Sequence, residues 1–286
     1  MNHVENMLRV IVVSAAFFMS FLFPILAAAD PSVLNMVFVP ASEKGDDSDY
    51  ESLIEIISER ANVQIKPIKV IDYNAAVEAM RAGRAHIAWY GGKTYIKAAE
   101  IAGAEAFAAG VRFGDNNAGY YSYFVVPADS ALNGLNDLYG KTLGLNSIGS
   151  TSGDLIPRVE LKKAGMSPSD FKNIVYAGSH DACLLAALNK RVDVCGMSSR
   201  NFDARIADGT ITESQVRIIH RSPLVPPPPL AFSKKLSQGL RDKIKTATLE
   251  AHKFGKIGGY GGEMSHYIAV NDSDYDPLRA IEKFLD

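Results

Sequence analysis

From Val33 onward, short apolar runs alternate with amphipathic segments of about ten residues: "VLNMVFVP" then "SDYESLIEIISER", "VQIKPIKV" then "YNAAVEAMRAG", "AHIAWYG" then "KTYIKAAEIAG". A short run that alternates or is continuously apolar reads as a strand, and apolar residues at helical spacing read as a helix. Regular alternation of the two types leaves little choice but an α/β fold in which each sheet is mostly parallel and flanked by helices.

The rhythm is interrupted at "GYYSYFVVPADSALNGLNDLYG" and resumes with "KTLGLNS", "NIVYAG", "SHDACLLAALNK", "VDVCGMSS" and "SQVRIIHRSP". It stops at "LVPPPPLAFSKKL". Four successive prolines fit neither a helix nor an inner strand, so Pro226 to Pro229 read as a stiff, extended connection. Two crossings are therefore expected, one near Phe124 to Ala128 and one near Val225 to Pro229. They divide the chain into a discontinuous lobe 1 (30–125 and 226–286) and an inserted lobe 2 (126–225), with a ligand cleft between them.

Residues 1–29 are set apart. Arg9 precedes an apolar run from Ile11 to Leu26 that is followed by Ala27, Ala28 and Ala29. That is the layout of a secretory signal peptide, with cleavage expected after Ala29; Pro24 and the short run argue against a membrane span. Export to the periplasm follows. No cysteine stands near the cleavage site to carry a lipid. Cys183 and Cys195 could pair in an oxidising compartment, but each lies in an apolar run, and the favoured reading is two packed thiols. A net charge of −2 without basic tracts excludes a nucleic-acid partner. A monomer is expected.

Three strand-to-helix turns carry the chemistry: "WYGGKTY" (89–95), "GSTSGD" (149–154) and "AGSHDA" (177–182). In open α/β sheets such turns gather at the carboxyl ends of the strands, where helix N-termini present unpaired N–H groups to anions. Ser150, Thr151 and Ser152 supply three hydroxyls where an N-cap needs one, which favours an anion cradle over simple capping. Tyr90 and Tyr95 offer phenolic donors, although packing between strand and helix serves aromatics as often. His180 opens a helix and can donate to an oxyanion. Catalysis finds no support. "GSTSG" puts Thr151 where a nucleophile elbow needs serine. Neither a metal-ligand spacing nor a P-loop occurs, and "GGYGG" (258–262) reads as a flexible loop rather than a dinucleotide fingerprint. Neither a cofactor nor a metal is expected.

At these residues the chain resembles the periplasmic substrate-binding proteins of phosphonate, phosphite and phosphate ABC transporters. "YNAAVEAMRAGRAHIAWYGGKTYIKAAE", "GSTSGDLIPRVELKKAG", "VYAGSHDACLLAALNKRVDV" and "HRSPLVPPPPLAFSKKL" carry the likeness in order. It implies the two-lobed class II periplasmic-binding-protein fold. It also implies a small phosphorus oxyanion as ligand and a cognate ABC permease in the inner membrane as partner. By position it makes Ser150, Thr151 and Ser152 the main donors and His180 another, with Tyr50, Tyr90 or Tyr95 closing from lobe 1. A phosphite- or phosphate-specific binder is the neighbouring reading, and a periplasmic phosphoester hydrolase the alternative from another class. After "VDV", relatives commonly carry an acid for a ligand amine. This chain has Ser198, Ser199 and Arg200, with Asp203 one turn on, so Ser199 is a candidate contact and the ligand is expected to lack a free amine near phosphorus.

Overall fold

The computed structural model describes residues 30–41 and 50–285, so the expected signal peptide lies outside the described residues. The first half runs β1 (Val33–Phe38), α1 (Glu51–Ala61), β2 (Gln64–Lys69), α2 (Tyr73–Arg81), β3 (Ile87–Trp89), α3 (Gly92–Ala102), β4 (Ala104–Arg112), β5 (Ser122–Pro127) and β6 (Thr142–Leu145). A π-helical turn (Thr151–Leu155) opens α4 (Ile156–Lys163). Next come β7 (Asn173–Tyr176), α5 (His180–Leu188), β8 (Val194–Ser198), α6 (Ser199–Ala207) and β9 (Val216–Arg221). The chain ends with β10 (Leu230–Ser233), α7 (Gln238–Glu250), β11 (Ile257–Gly259), β12 (Gly262–Ala269) and α8 (Asp276–Lys283).

Local chemistry sets these boundaries. The Asp72 carboxylate accepts the Ala75 N–H at 2.8 Å and starts α2, and Ser179 does the same for α5 through the Ala182 N–H. At the other end, α3 stops at Gly103 in the left-handed region, φ 65°. In β5, residues alternate between faces: Phe124 and Val126 join one apolar cluster, Val125 the other.

The strands form two sheets, ordered β11-β12-β4-β10-β3-β1-β2 and β7-β6-β8-β5-β9. Each forms the centre of one lobe. Both sheets are mixed, which corrects the mostly parallel expectation. β1 runs parallel to β2 and β3, and β6 parallel to β7 and β8, as successive βα units require. But β10 runs against β3 and β4, and β5 runs against β8 and β9. These two strands follow the crossings and enter their sheets from the opposite end. The expected loop at 258–262 is instead the turn of the antiparallel β11–β12 hairpin, because Gly261 and Gly262 take φ +84° and +125°.

β5 lies wholly in the second sheet from Ser122, so the first crossing falls ahead of the expected 124–128 segment. The two crossings touch. Tyr120 and Val225 form a single antiparallel bridge, with N···O distances of 3.1 and 2.8 Å. Pro226 to Pro229 follow at once. The Pro227 carbonyl accepts the Tyr275 hydroxyl at 3.0 Å and the Pro229 carbonyl accepts the Tyr90 N–H at 3.0 Å.

Cys183 and Cys195 are joined in a disulfide with their Cα atoms 5.7 Å apart, contrary to the packed-thiol expectation. Sequence spacing does not reveal that α5 packs on β8 at this point. No helix among the described residues is long and apolar enough to cross a membrane.

Candidate functional site

The β6–α4 turn of the second lobe meets the β3–α3 turn of the first. Gly149 adopts φ +102°, and a Cβ there would lie 3.0 Å from the Tyr73 Cβ, so glycine lets the two lobes approach. Ser150 caps the π-helical turn by accepting the Gly153 N–H at 3.1 Å. The capping reading is therefore correct for this one hydroxyl. The turn is wide because the Leu155 N–H reaches back five residues to the Ser150 carbonyl at 3.1 Å. The amides of Thr151 and Ser152 are the first of the helix and have no intrahelical acceptor.

Thr151 and Ser152 are not caps. The Thr151 Oγ1 accepts the Lys93 N–H from lobe 1 at 3.0 Å, the Ser152 carbonyl accepts the Ser122 hydroxyl at 2.7 Å, and the buried Tyr120 phenol, its pKa raised by burial, lies close to the Ser152 and Thr151 side chains, which counter that rise. Lys93 also crosses with its side chain, 2.8 Å from the fully buried Asp154 carboxylate, which takes the Tyr176 hydroxyl at 2.9 Å as well. Thr94 donates to the Gly149 carbonyl at 2.8 Å. All three hydroxyls of the turn are buried.

His180 begins α5 against the same turn. A Cβ on Gly153 would lie 2.8 Å from its Cε1 and 2.4 Å from the Asn146 Cβ, so glycine is what admits both side chains. Burial drives the imidazole pKa down to about 3, and its Nδ1 accepts the Ser198 N–H at 3.3 Å. The ring is neutral with its proton on Nε2, a donor without charge. Asn146 sits beside it with Nδ2 donating to the Tyr73 hydroxyl at 3.2 Å.

The remaining expected residues divide. Tyr50, 2% exposed, lies in an aromatic wall with Trp89 (ring centroids 6.1 Å apart) and accepts the Tyr260 N–H at 3.2 Å. Ser199 accepts the Tyr121 N–H at 3.1 Å and so helps to fix the first crossing. Tyr90 and Tyr95 point elsewhere. The Tyr90 hydroxyl donates to the Ala76 carbonyl at 3.2 Å within lobe 1. Tyr95 donates to Asp272 at 2.8 Å and accepts the Ala106 N–H at 3.2 Å. Burial raises both phenols above their ordinary pKa. The structure does not bring these two hydroxyls to the turn.

Sequence reasoning noted Arg200 only as the cation beside Ser199, and did not single out Tyr120, Lys93 or Tyr260, which stand around this turn and hinge. The signal for Tyr120 was its place beside Gly119 at the start of the crossing, where a side chain faces both lobes. Arg200, 2% exposed, extends from α6 to carbonyls of Gly110, Ala118 and Tyr260 at 3.1, 2.6 and 3.4 Å. Next to it, the Asn201 side chain accepts the Tyr260 hydroxyl and donates to the Ala41 carbonyl at 3.3 Å. Asp203 pairs with Arg112 of lobe 1 at 2.8 Å, and Glu263 stands 3.7 Å from Lys256. Neither carboxylate is at the hydroxyl turn. Among the described residues no group of His, Cys, Asp and Glu could hold a metal ion.

Two α/β lobes on a paired hinge, with a buried, hydroxyl-rich helix N-terminus between them, define a class II periplasmic binding protein. The chain belongs to the family of periplasmic substrate-binding proteins of phosphonate ABC transporters, whose model matches residues 36–275. This is a family of binding proteins, not enzymes. The chain is 34% identical over 200 residues to the phosphonates-binding periplasmic protein of Escherichia coli; that match takes in 68% of this chain and 59% of the relative, less than two thirds of its length. It is 27% identical over 274 residues to a phosphate-import protein of Mycolicibacterium smegmatis, covering 88% of this chain and 85% of that one. A solved binding component of a phosphonate ABC transporter from Pseudomonas aeruginosa superimposes with a TM-score of 0.79 at 26% identity, over 90% of this chain and 87% of that one. The Prochlorococcus marinus protein solved with methylphosphonate shares the fold, with a TM-score of 0.78 at 21% identity over 90% and 99% of the two chains.

Proposed function

We propose that this chain, exported and freed of its first 29 residues, captures a phosphonate or closely related phosphorus oxyanion in the periplasm and delivers it to a cognate ABC permease. The observation that carries the reading is the turn at 150–152. Its hydroxyls and first amides converge with the neutral His180 and with Tyr120 in a buried place between the lobes. An oxyanion there meets donors and a helix dipole at every side, and donors from both lobes favour the closed form when it is bound.

In this reading Thr151, Ser152 and the two amides hold the anion from lobe 2. His180 and Tyr120 complete the seat, and Tyr50 closes it. Ser150 orients the turn. The nearby acids are spoken for, Asp154 by Lys93 and Asp203 by Arg112, so a ligand ammonium would be buried without a carboxylate at a cost of several kcal/mol.

Thermal unfolding with methylphosphonate, ethylphosphonate, phosphite, phosphate and sulfate tests this. A true ligand at a hundred times its dissociation constant stabilises by about 2.7 kcal/mol. Stabilisation by at least one phosphorus oxyanion and none by sulfate is the expected result. Sulfate outranking every phosphorus ligand, or turnover of a chromogenic phosphoester, would overturn it.

A further inference from the structure

Arg200 poses a problem that lobe closure alone does not explain. Its guanidinium is buried, yet every protein acceptor it finds is an uncharged carbonyl, those of Gly110, Ala118 and Tyr260. Its Nε–H has no hydrogen-bond partner. The carboxylates in the vicinity are held by other cations: Asp115 and Asp203 by Arg112, Asp154 by Lys93, with Asp181 3.6 Å from Arg205. Among the described residues Arg200 makes no ion pair.

Removing a guanidinium from water costs several kcal/mol unless both charge and N–H groups are answered. If tying the lobes together were the whole task, a neutral amide would suffice, as Asn201 shows one residue on by donating to the Ala41 carbonyl. A full positive charge with a spare donor calls for an anion. Position indicates which part of the ligand would bring it. Arg200 holds the carbonyls of Ala118 and Tyr260, the Tyr260 ring meets the Tyr120 ring edge-on with centroids 6.4 Å apart, and Ser122, two residues beyond Tyr120, donates to the Ser152 carbonyl of the hydroxyl turn at 2.7 Å. Arg200 thus stands against the segment that carries Tyr120 to the oxyanion seat, with Tyr260 beside it and Tyr50 next in line through the Tyr260 N–H.

Building on the proposed function, we propose that Arg200 is the specificity residue for the ligand's organic substituent and that this substituent ends in a carboxylate. The ligand is a short phosphonocarboxylate, its phosphorus group on the hydroxyl turn and its carboxylate on Arg200. The same charge repels an amine at that end.

Titration calorimetry with ethylphosphonate, phosphonoacetate and 3-phosphonopropionate tests the idea on the wild-type chain, with no variant needed. At least one of the two carboxylates should bind tenfold or more tighter than ethylphosphonate. Arg200→Met should then bring that ratio to within threefold, while Arg200→Lys, which keeps the charge, should retain a preference. If neither carboxylate outranks ethylphosphonate, the proposal is wrong while phosphonate capture stands. If Arg200→Met weakens all three ligands equally, Arg200 only ties the lobes together and the proposal is again wrong. If no phosphorus ligand binds the wild-type chain at all, the proposed function itself falls and takes this inference with it.

Discussion

Thr151→Val separates an anion seat from a helix cap, because valine matches threonine in shape and removes only the hydroxyl. With the lobes in contact the Thr151 Oγ1 accepts the Lys93 N–H at 3.0 Å in a place that is 1% exposed. Losing it leaves the Lys93 donor dry and unpaired, at about 1–3 kcal/mol, and removes the proposed charge-assisted bond to the ligand, worth about 1.5–3 kcal/mol. When the lobes open, water replaces both, so the penalty falls on the bound, closed state. A loss of about 3–5 kcal/mol corresponds to a fall in affinity between about a hundredfold and several thousandfold. Thermal stability without ligand should hardly change, since neither lobe's apolar cluster includes Thr151. Calorimetry with methylphosphonate, or the tightest ligand of the panel, gives the affinity, and Thr151→Ser should restore it to within threefold. An affinity for Thr151→Val within threefold of wild type, with cooperative unfolding intact, would refute the reasoning and reduce the turn to a cap.

Ser150→Ala provides the contrast, since it removes the cap on Gly153 and should cost about 1 kcal/mol of stability by denaturant titration. His180 is neutral when folded, its pKa lowered by burial from 6.5 to about 3. The unfolded chain therefore takes up a proton that the folded chain refuses, and stability is complete above about pH 6.5 and lost on acidification towards pH 3, by about 1.4 kcal/mol per pH unit. His180→Asn should flatten that part of a stability–pH profile, and an unchanged slope would contradict the assignment. Reducing the Cys183–Cys195 bridge, which closes a loop of 12 residues, should cost about 3 kcal/mol in urea unfolding, and an unchanged midpoint would show that packing alone holds α5 on β8. Binding of 2-aminoethylphosphonate tenfold tighter than ethylphosphonate would show that a carboxylate reaches the ligand after all.

The sequence made the turn at 149–154 legible because its signal is local: glycines and hydroxyls in a short span between strand and helix. The two-lobed plan was legible for a similar reason, since alternation and the proline run are patterns along the chain. What it concealed depends on contacts across the lobes. Tyr90 and Tyr95 read as phenolic donors, yet they spend their hydroxyls on Ala76 and Asp272 within lobe 1, which only the packing of α2 and of the turn ahead of α8 reveals. Lys93 read as one more helix residue until Thr151 and Asp154 were found opposite it. The antiparallel courses of β5 and β10 escaped notice because strand direction is set by where a crossing re-enters its sheet, and no residue type records that. The disulfide likewise rests on a Cα separation that spacing does not determine.

The hinge at Tyr120 and Val225 has a mechanical consequence. Beyond Val225 come four residues that have no N–H to give, and two of their carbonyls are already committed to lobe 1, at Tyr90 and Tyr275. The pairing of the two crossings therefore cannot lengthen by zipping residue after residue into a ribbon. It stays a pivot one pair long, and the lobes can turn about it without rupturing a backbone ladder. What resists opening is then the set of side chains that reach across, from Lys93 and Thr151 to Arg112, Arg200, Asn201 and Asp203. The dwell time of a captured ligand becomes a property that point substitutions can tune freely, in either direction, while the scaffold on which the lobes swing stays the same.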